Sequence, residues 1–191
     1  MIQNLWQTTS AYIRDGNLAD AILFLEAGLA QCEGQGFKSL IGADFTNVPG
    51  RIVGNINDLI NFCDRRFDVR AVYLEMNGFD INTGRWYFDS FAYRQYVKDP
   101  EDLDWLGERE SPTWPDITLT GLEQVQADFE RYSKRDGTFK LSDDEPAEHA
   151  MLLVMCKFGK LVQRSVSEGL VKHIPVLSTA HDYDIIARFG D

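Results

Sequence analysis

The sequence has little cysteine and histidine, and it has no long hydrophobic run. It contains three cysteines and three histidines in 191 residues. No Cys-x-x-Cys pair occurs, which excludes a zinc ribbon and a dithiol redox site, so Cys32, Cys63 and Cys156 are expected to be buried thiols without a disulfide. The longest uncharged apolar run, residues 150–156, is too short to cross a bilayer.

The chain also lacks the familiar motifs of nucleotide sites and active sites. Gly34-Gln35-Gly36 is a lone Gly-x-Gly that follows a predicted helix, whereas a dinucleotide site needs such glycines between a strand and a helix. No Gly-x-Ser-x-Gly, His-Glu-x-x-His or EF-hand pattern is present. We therefore expect neither a cofactor nor a bound metal. The N-terminal residues lack the pattern of a signal peptide, which predicts a cytoplasmic protein with no membrane association.

Positive charge is scarce as well. Nineteen Lys and Arg residues stand against thirty Asp and Glu residues, a net charge of −11. Such a chain repels phosphate backbones, so we expect no nucleic-acid partner. A basic protein partner fits this charge, although solubility alone would account for it. The sequence does not indicate an oligomeric state.

The composition predicts a single folded α+β domain. Apolar residues make up 44% and aromatic residues 12% of the chain, and its length is enough to bury one core. We expect a small antiparallel sheet, built on a long central β-hairpin at about residues 69–93 and packed by four to five helices. The expected order is a helical hairpin (2–33), a helix from Asn55 and the β-hairpin (55–93), an acidic loop with Trp and Pro (94–119), and two helices with a C-terminal strand (120–191).

The β-hairpin is the clearest element of the pattern. Residues 69–81 and 85–93 are rich in β-branched and aromatic types, and Asn82-Thr83-Gly84 between them predicts a tight turn. With that turn, apolar side chains fall on both faces, which predicts a hairpin covered on both sides. One face would carry Tyr73, Phe79, Ile81, Trp86 and Phe88, and the other Val72, Leu74, Met76, Tyr87 and Phe91.

Helix signals follow the hairpin. Thr120-x-x-Glu123 predicts a capping box for a helix that runs to about residue 135. The acidic cluster of residues 143–145 precedes the longest predicted helix, which ends near Gly169, and it suits the positive end of that helix dipole. A structural role is therefore favoured for the cluster over a metal site.

One candidate catalytic group lies in the hairpin and near the last strand. Glu75, Asp80 and Asp89 are acids within an otherwise apolar hairpin, and His181 opens a His-Asp-Tyr-Asp run. A buried carboxylate without a partner has a raised pKa, which suits a general acid. Arg70, Arg85 or Arg188 would pair with such an acid instead in a purely structural interpretation. Because neighbouring residues of a strand point to opposite faces, we expect only one of His181 and Asp182 to join a given site.

A second candidate site is the acidic segment, defined here as residues 99–114. Between residues 99 and 110 it has six acids and one base, with Trp105 and Trp114 interspersed. Aromatic rings that anchor and charges that steer are typical of a protein-binding surface. The expected binding residues, outside the core, are Trp105, Asp102, Asp104, Glu108, Glu110 and Trp114. The alternative is that both tryptophans pack onto the core and leave the acids as a solvated rim, and the usual burial of tryptophan slightly favours it.

Two functions follow from these candidates. The first is an acidic, non-enzymatic protein-binding module, such as an inhibitor or immunity-type partner of a basic protein. The second is a small hydrolase-like enzyme that uses the hairpin carboxylates with His181. A cleft that gathers those groups would favour the enzyme, and a filled core with an acidic convex face would favour the binding module.

Overall fold

A computed structural model describes residues 2–33, 36–100, 102–134, 145–184 and 186–190, and it confirms a single α+β domain. Within these ranges the helices are α1 (Ile2–Arg14), α2 (Leu18–Gln31), α3 (Pro49–Cys63), α4 (Glu123–Ser133) and α5 (Glu145–Val166). The strands are β1 (Ala71–Met76), β2 (Tyr87–Tyr93), β3 (Ile117–Thr118), β4 (Val176–Ala180) and β5 (Ala187–Phe189). No helix of the described part is long and apolar enough to cross a membrane.

The five strands form one sheet in the order β3-β2-β1-β4-β5. As predicted, β1 and β2 are antiparallel neighbours, with Glu75 opposite Asp89. The expectation of an antiparallel sheet is wrong at one place, because β4 lies parallel to β1 and places Thr179 beside Glu75. A parallel neighbour needs a long crossover, and the chain between β1 and β4 supplies it with helices.

The predicted turn between β1 and β2 is wrong. The strands end at Met76 and begin again at Tyr87, so a ten-residue connection replaces the tight Asn-Thr-Gly turn. Trp86 anchors this connection, since its Nε1 donates to the carbonyl of Phe79 at 2.9 Å. The observed register also places each side chain of β2 on the face opposite to the predicted one. Phe88 now shares a face with Leu74, while Tyr87 and Phe91 share the opposite face with Tyr73.

Helix α5 lies at the centre of the main core. Sixteen of its 22 residues are buried, since it contacts α1, α2 and α3 as well as β4. The sheet presents Val72, Leu74 and Met76 to this helical layer, and we call this side the helix face. Helix α5 also carries a buried lysine, Lys157, whose Nζ lies 2.8 Å from Oε1 of Glu26 and so links α5 to α2. Among the described residues, the five α-helices therefore pack on this one face of the sheet.

Several predicted boundaries shift. Helix α3 begins at Pro49 instead of Asn55, because proline suits the first turn of a helix. The capping box at α4 does not form: Thr120 bonds to Thr46 and Asn47, and Glu123 accepts the backbone N–H of Gly121. Helix α5 ends at Val166, before Gly169. Residues 135–144, with most of the acidic cluster, lie outside the described residues.

The cysteines carry no disulfide. Cys63 and Cys156 are buried, but Cys32 is only half-buried, which corrects the expectation that all three are buried. Burial raises the pKa of the Cys156 thiol to about 12, so it stays protonated at neutral pH.

Candidate active site

The face of the sheet opposite the helices, which we call the second face, has a covered end and an open end. At the covered end Tyr93, Trp105 and Leu177 form a separate small core. At the open end lies a cleft of about 310 Å³. Its lining is mostly polar and comes from β1, β2, their connection and the end of β4: Glu75, Asn77, Gly78, Asn82, Tyr87, Asp89 and His181.

A carboxylate–imidazole pair occupies this cleft. His181 follows the last residue of β4, and its backbone N–H continues the ladder by donating to Met76 O at 2.8 Å. From there its Nδ1 lies 2.8 Å from Oε1 of Glu75. This hydrogen bond, with the negative charge behind it, raises the pKa of His181. The imidazole is therefore held as a cation to a higher pH than a free histidine would be.

Asp89 lies beside this pair and is the least compensated acid of the cleft. Burial raises the pKa of its carboxyl, and the charges of Asp116 and Glu75 raise it further. The charges of Arg109 and Arg85 oppose the shift, but no described residue gives Asp89 a hydrogen bond. An ionised carboxylate in this position is more basic than an ordinary aspartate.

The acids on either side of Asp89 each have their own cation. Asp116, just before β3, forms an ion pair with the guanidinium of Arg85, and Glu75 has His181. Arg85 is fixed further by a hydrogen bond to Thr118 and by its position over the ring of Tyr87, 4.6 Å from the centroid. The middle acid is thus left to interact with whatever enters the cleft.

The structure brings three of the four candidate catalytic residues together. Glu75, Asp89 and His181 line the cleft, but Asp80 does not. Its carboxylate accepts a hydrogen bond from the Tyr183 hydroxyl at 3.2 Å, on the side of the main core. The extended hairpin that would have placed Asp80 on a strand does not exist, so its side chain follows the connection instead. Of the three cations proposed as structural partners, Arg85 lies beside the cleft and pairs with Asp116. The other two lie elsewhere: Arg70 pairs with Asp68, and Arg188 donates to the carbonyls of Lys98 and Asp99.

The expectation that the acidic segment lies outside the core is wrong at Trp105. This ring is only 3% exposed and packs edge-on against Tyr93, with centroids 5.1 Å apart. Its Nε1 donates to Asp102 O at 3.1 Å, and the Tyr93 hydroxyl donates to Leu106 O at 2.9 Å. Trp105 therefore covers the apolar part of the second face at this end of the sheet.

The other residues of the acidic segment divide into two groups. Trp114 is half-buried against Phe62 of α3, with ring centroids 5.5 Å apart. Glu110 accepts the backbone N–H of Arg94 at 3.0 Å and so helps hold the segment against the end of β2. The remaining acids, Asp102, Asp104 and Glu108, are exposed. A role of these six residues in protein binding stays a prediction, now without an exposed ring as anchor.

The sequence interpretation did not find Asn77, Tyr87 and Asp116. Asn77 accepts the backbone N–H of Tyr87 at 2.9 Å and closes the end of the ladder, so both residues border the cleft. The correct register, with Glu75 opposite Asp89, would have placed them there. Asp116 precedes a two-residue strand that is too short to carry a pattern in the sequence.

The other histidines are separate from this site. His149 is buried in the first turns of α5, where its Nδ1 lies 2.8 Å from Glu145 O. Its ring also fills the space over Gly28, where a Cβ atom would lie 2.3 Å from the imidazole Nε2. Within the described ranges, no three His, Cys, Asp or Glu side chains are arranged to hold a metal ion.

Comparisons of the chain with protein-family models, with curated proteins and with solved structures gave no match. A functional proposal must therefore start from the chain's own residues and geometry.

Proposed function

We propose that the cleft at the open end of the second face is the active site of a small hydrolase-like enzyme that acts by general acid–base catalysis. The observation that carries this proposal is the 2.8 Å contact between Glu75 and His181 in a cleft shared with Asp89. Perturbed titratable groups that face one cleft are typical of catalytic sites.

The directions of the two pKa shifts assign the roles. The pKa of His181 is raised by its hydrogen bond to Glu75, so the imidazolium persists to higher pH than in a free histidine and is assigned as the proton donor. The pKa of Asp89 is raised mainly by burial, so its carboxylate, once ionised, is the stronger base. Glu75 holds the imidazole ring by its Nδ1 and leaves Nε2 to donate.

The two proposed catalytic groups flank Glu75. Asp89 lies on β2 and His181 follows β4, with Glu75 on β1 between them. Two strand separations correspond to about 10 Å between backbones, so a substrate would have to lie over the Glu75 carboxylate, within the cleft, to reach both groups. Asp89 takes a proton from water as the water oxygen bonds to the electrophilic atom of the substrate. That atom loses its bond to the leaving oxygen, which receives the proton of His181.

The test uses purified protein and a panel of chromogenic esters, phosphate esters and glycosides. Asp89→Asn and His181→Gln should each lower kcat/KM for an accepted substrate by about 100-fold or more. Asp104→Asn, which removes an equal charge from the exposed rim, is the matched control and should retain the activity.

The pH profile provides a second test. Activity should rise as Asp89 loses its proton and fall as His181 loses its own, which gives a bell-shaped curve. Glu75→Gln should move the alkaline limb to lower pH. A panel without turnover, or turnover unchanged in the Asp89→Asn and His181→Gln variants, would refute the enzyme.

The protein-binding function predicted from the sequence is a separate proposal. The exposed acids Asp102, Asp104 and Glu108 and the net charge of −11 support it, but the burial of Trp105 leaves those acids without the expected anchor. We also propose a cytoplasmic location, which cell fractionation would test.

A further inference from the structure

Asp182, the residue after His181, has an unusual backbone conformation. Its φ of 67° lies in the left-handed region, which few residues other than glycine adopt. Aspartate tolerates this region better than most side chains do. The chain reverses here, since the backbone N–H of Tyr183 donates to Ala180 O at 3.2 Å. The structure therefore fixes Asp182 in a conformation that carries an energetic cost.

This conformation brings two adjacent side chains together. The sequence predicted that only one of His181 and Asp182 would join a given site, because strand residues alternate between faces. Only His181 lines the cleft, but β4 ends at Ala180 and the left-handed turn brings the Asp182 carboxylate back toward the His181 ring. Oδ1 of Asp182 lies 3.5 Å from Nε2 of His181.

The two nitrogens of His181 are therefore faced by two different carboxylates. Glu75 lies at Nδ1 and Asp182 at Nε2, and they are the described charged groups that act on this imidazole. The two contacts differ in burial, since the Glu75 side chain is 25% exposed and that of Asp182 is 77% exposed. Glu75 is thus fixed inside the cleft, whereas Asp182 lies at its rim and is free to be displaced.

We propose that, in the free protein, the Asp182 carboxylate occupies the position at Nε2 of His181 that is taken by the substrate oxygen receiving the His181 proton, and that the substrate displaces it. This inference rests on the proposed acid–base function, in which Nε2 is the donating atom. A carboxylate oxygen near Nε2 shows that this position accepts an anionic oxygen. The ligand class that replaces it is an oxyanion or a polarised oxygen, as in a carboxylic or phosphoric ester.

Three substitutions of Asp182 distinguish the effect of its backbone conformation from the effect of its carboxylate. Asp182→Asn removes the charge and tolerates the left-handed region. Asp182→Gly removes the side chain and adopts this region freely. Asp182→Ala removes the carboxylate and strains the turn, so its Tm should fall by about 2–8 °C relative to Asp182→Gly. Asp184→Asn, an exposed acid two residues on, is the matched control for net charge.

The probe is inorganic phosphate, and the readout is the NMR signal of the His181 ring, identified by its loss in His181→Gln. Phosphate should bind to Asp182→Asn and Asp182→Gly about two- to fivefold more tightly than to the wild type, because an exposed ionic contact no longer competes. The pKa of His181 should fall in both variants, and KM for an accepted ester should fall by the same factor with kcat little changed. Asp184→Asn should match the wild type.

The outcomes distinguish this inference from the proposed function. If Asp182→Asn behaves like Asp184→Asn in the phosphate titration and in the pKa of His181, the role of Asp182 is overturned, whatever the activity. If the titrations turn out as expected but Asp89→Asn does not reduce hydrolysis, the hydrolase fails. The assignment of Asp182 to the oxygen position at Nε2 then stands as a property of a binding site.

Discussion

The two ends of the second face of the sheet use the same strands in opposite ways. At the covered end, β1 and β2 present Tyr73 and Tyr93, and Trp105 closes over them. At the open end, two residues further along β1 from Tyr73 and four residues back along β2 from Tyr93, the same strands present Glu75 and Asp89 to a cleft. The first end buries apolar surface and satisfies its hydrogen bonds, whereas the second leaves like charges adjacent and one acid without a donor. The second face thus has a stabilising apolar cluster at one end and the proposed catalytic groups at the other.

The largest expected effect is at the covered end. Trp105→Ala should lower the free energy of unfolding by about 3–5 kcal/mol, because it removes a buried ring and leaves a cavity over Tyr93. Urea denaturation followed by circular dichroism measures this loss. Trp105→Phe is the matched control and should lose much less, since it keeps a ring. An unchanged urea midpoint in Trp105→Ala would contradict a stabilising role for this ring and would favour the binding role predicted from the sequence.

The open end should respond in the opposite direction. Asp89→Asn should raise the free energy of unfolding at neutral pH by about 0.5–1 kcal/mol, because it removes a charge beside Glu75 and Asp116. The same variant should lose the proposed activity, which is the usual relation between stability and function at a catalytic site. Thermal denaturation compares it with Asp104→Asn, whose acid is exposed. A loss of stability in Asp89→Asn would mean that this carboxylate is a structural group.

The smallest expected effect is the pH dependence of the Glu75–His181 pair. The folded pKa of His181 is raised above its ordinary value of 6.5, so the pair stabilises the protein fully below that pH. This contribution is lost as the pH rises through the raised pKa. The pair should contribute at most about 0.5 kcal/mol, since the imidazole is more than half exposed.

The difference in unfolding free energy between the wild type and Glu75→Gln, measured from pH 5 to pH 9, isolates this term. It should be largest at low pH and should shrink as the pH rises. A difference that grows toward alkaline pH would show that His181 is not held as a cation by Glu75.

The sequence predicted the fold class and the pairing of β1 with β2 because both depend on strong local patterns. Aromatic and β-branched residues cluster in 69–76 and 87–93, and the pairing of the two segments buries most of them. The turn was mistaken because Asn82-Thr83-Gly84 is a good local signal that tertiary packing overrides. Trp86 and Phe79 are buried in the main core and hold the connection away from a tight turn.

The candidate site was predicted in its residues but not in its geometry. Glu75, Asp89 and His181 stand out in the sequence because charged groups are rare among apolar strand residues. Their meeting depends on the parallel pairing of β4 with β1, a contact between residues about a hundred positions apart that no local pattern encodes. The left-handed turn at Asp182 was not predicted either, because the end of β4 is set by packing and not by a local sequence pattern.

The parallel insertion of β4 next to β1 has a consequence for the order of folding. The β1–β2 contact joins segments close in the chain, whereas the β1–β4 contact joins segments about a hundred positions apart. Contacts of larger sequence separation cost more loop-closure entropy and slow folding. We therefore expect Glu75 and Asp89 to meet before β4 brings His181 beside them. The NMR signal of the His181 ring would then report the docking of β4, the step that completes the cleft.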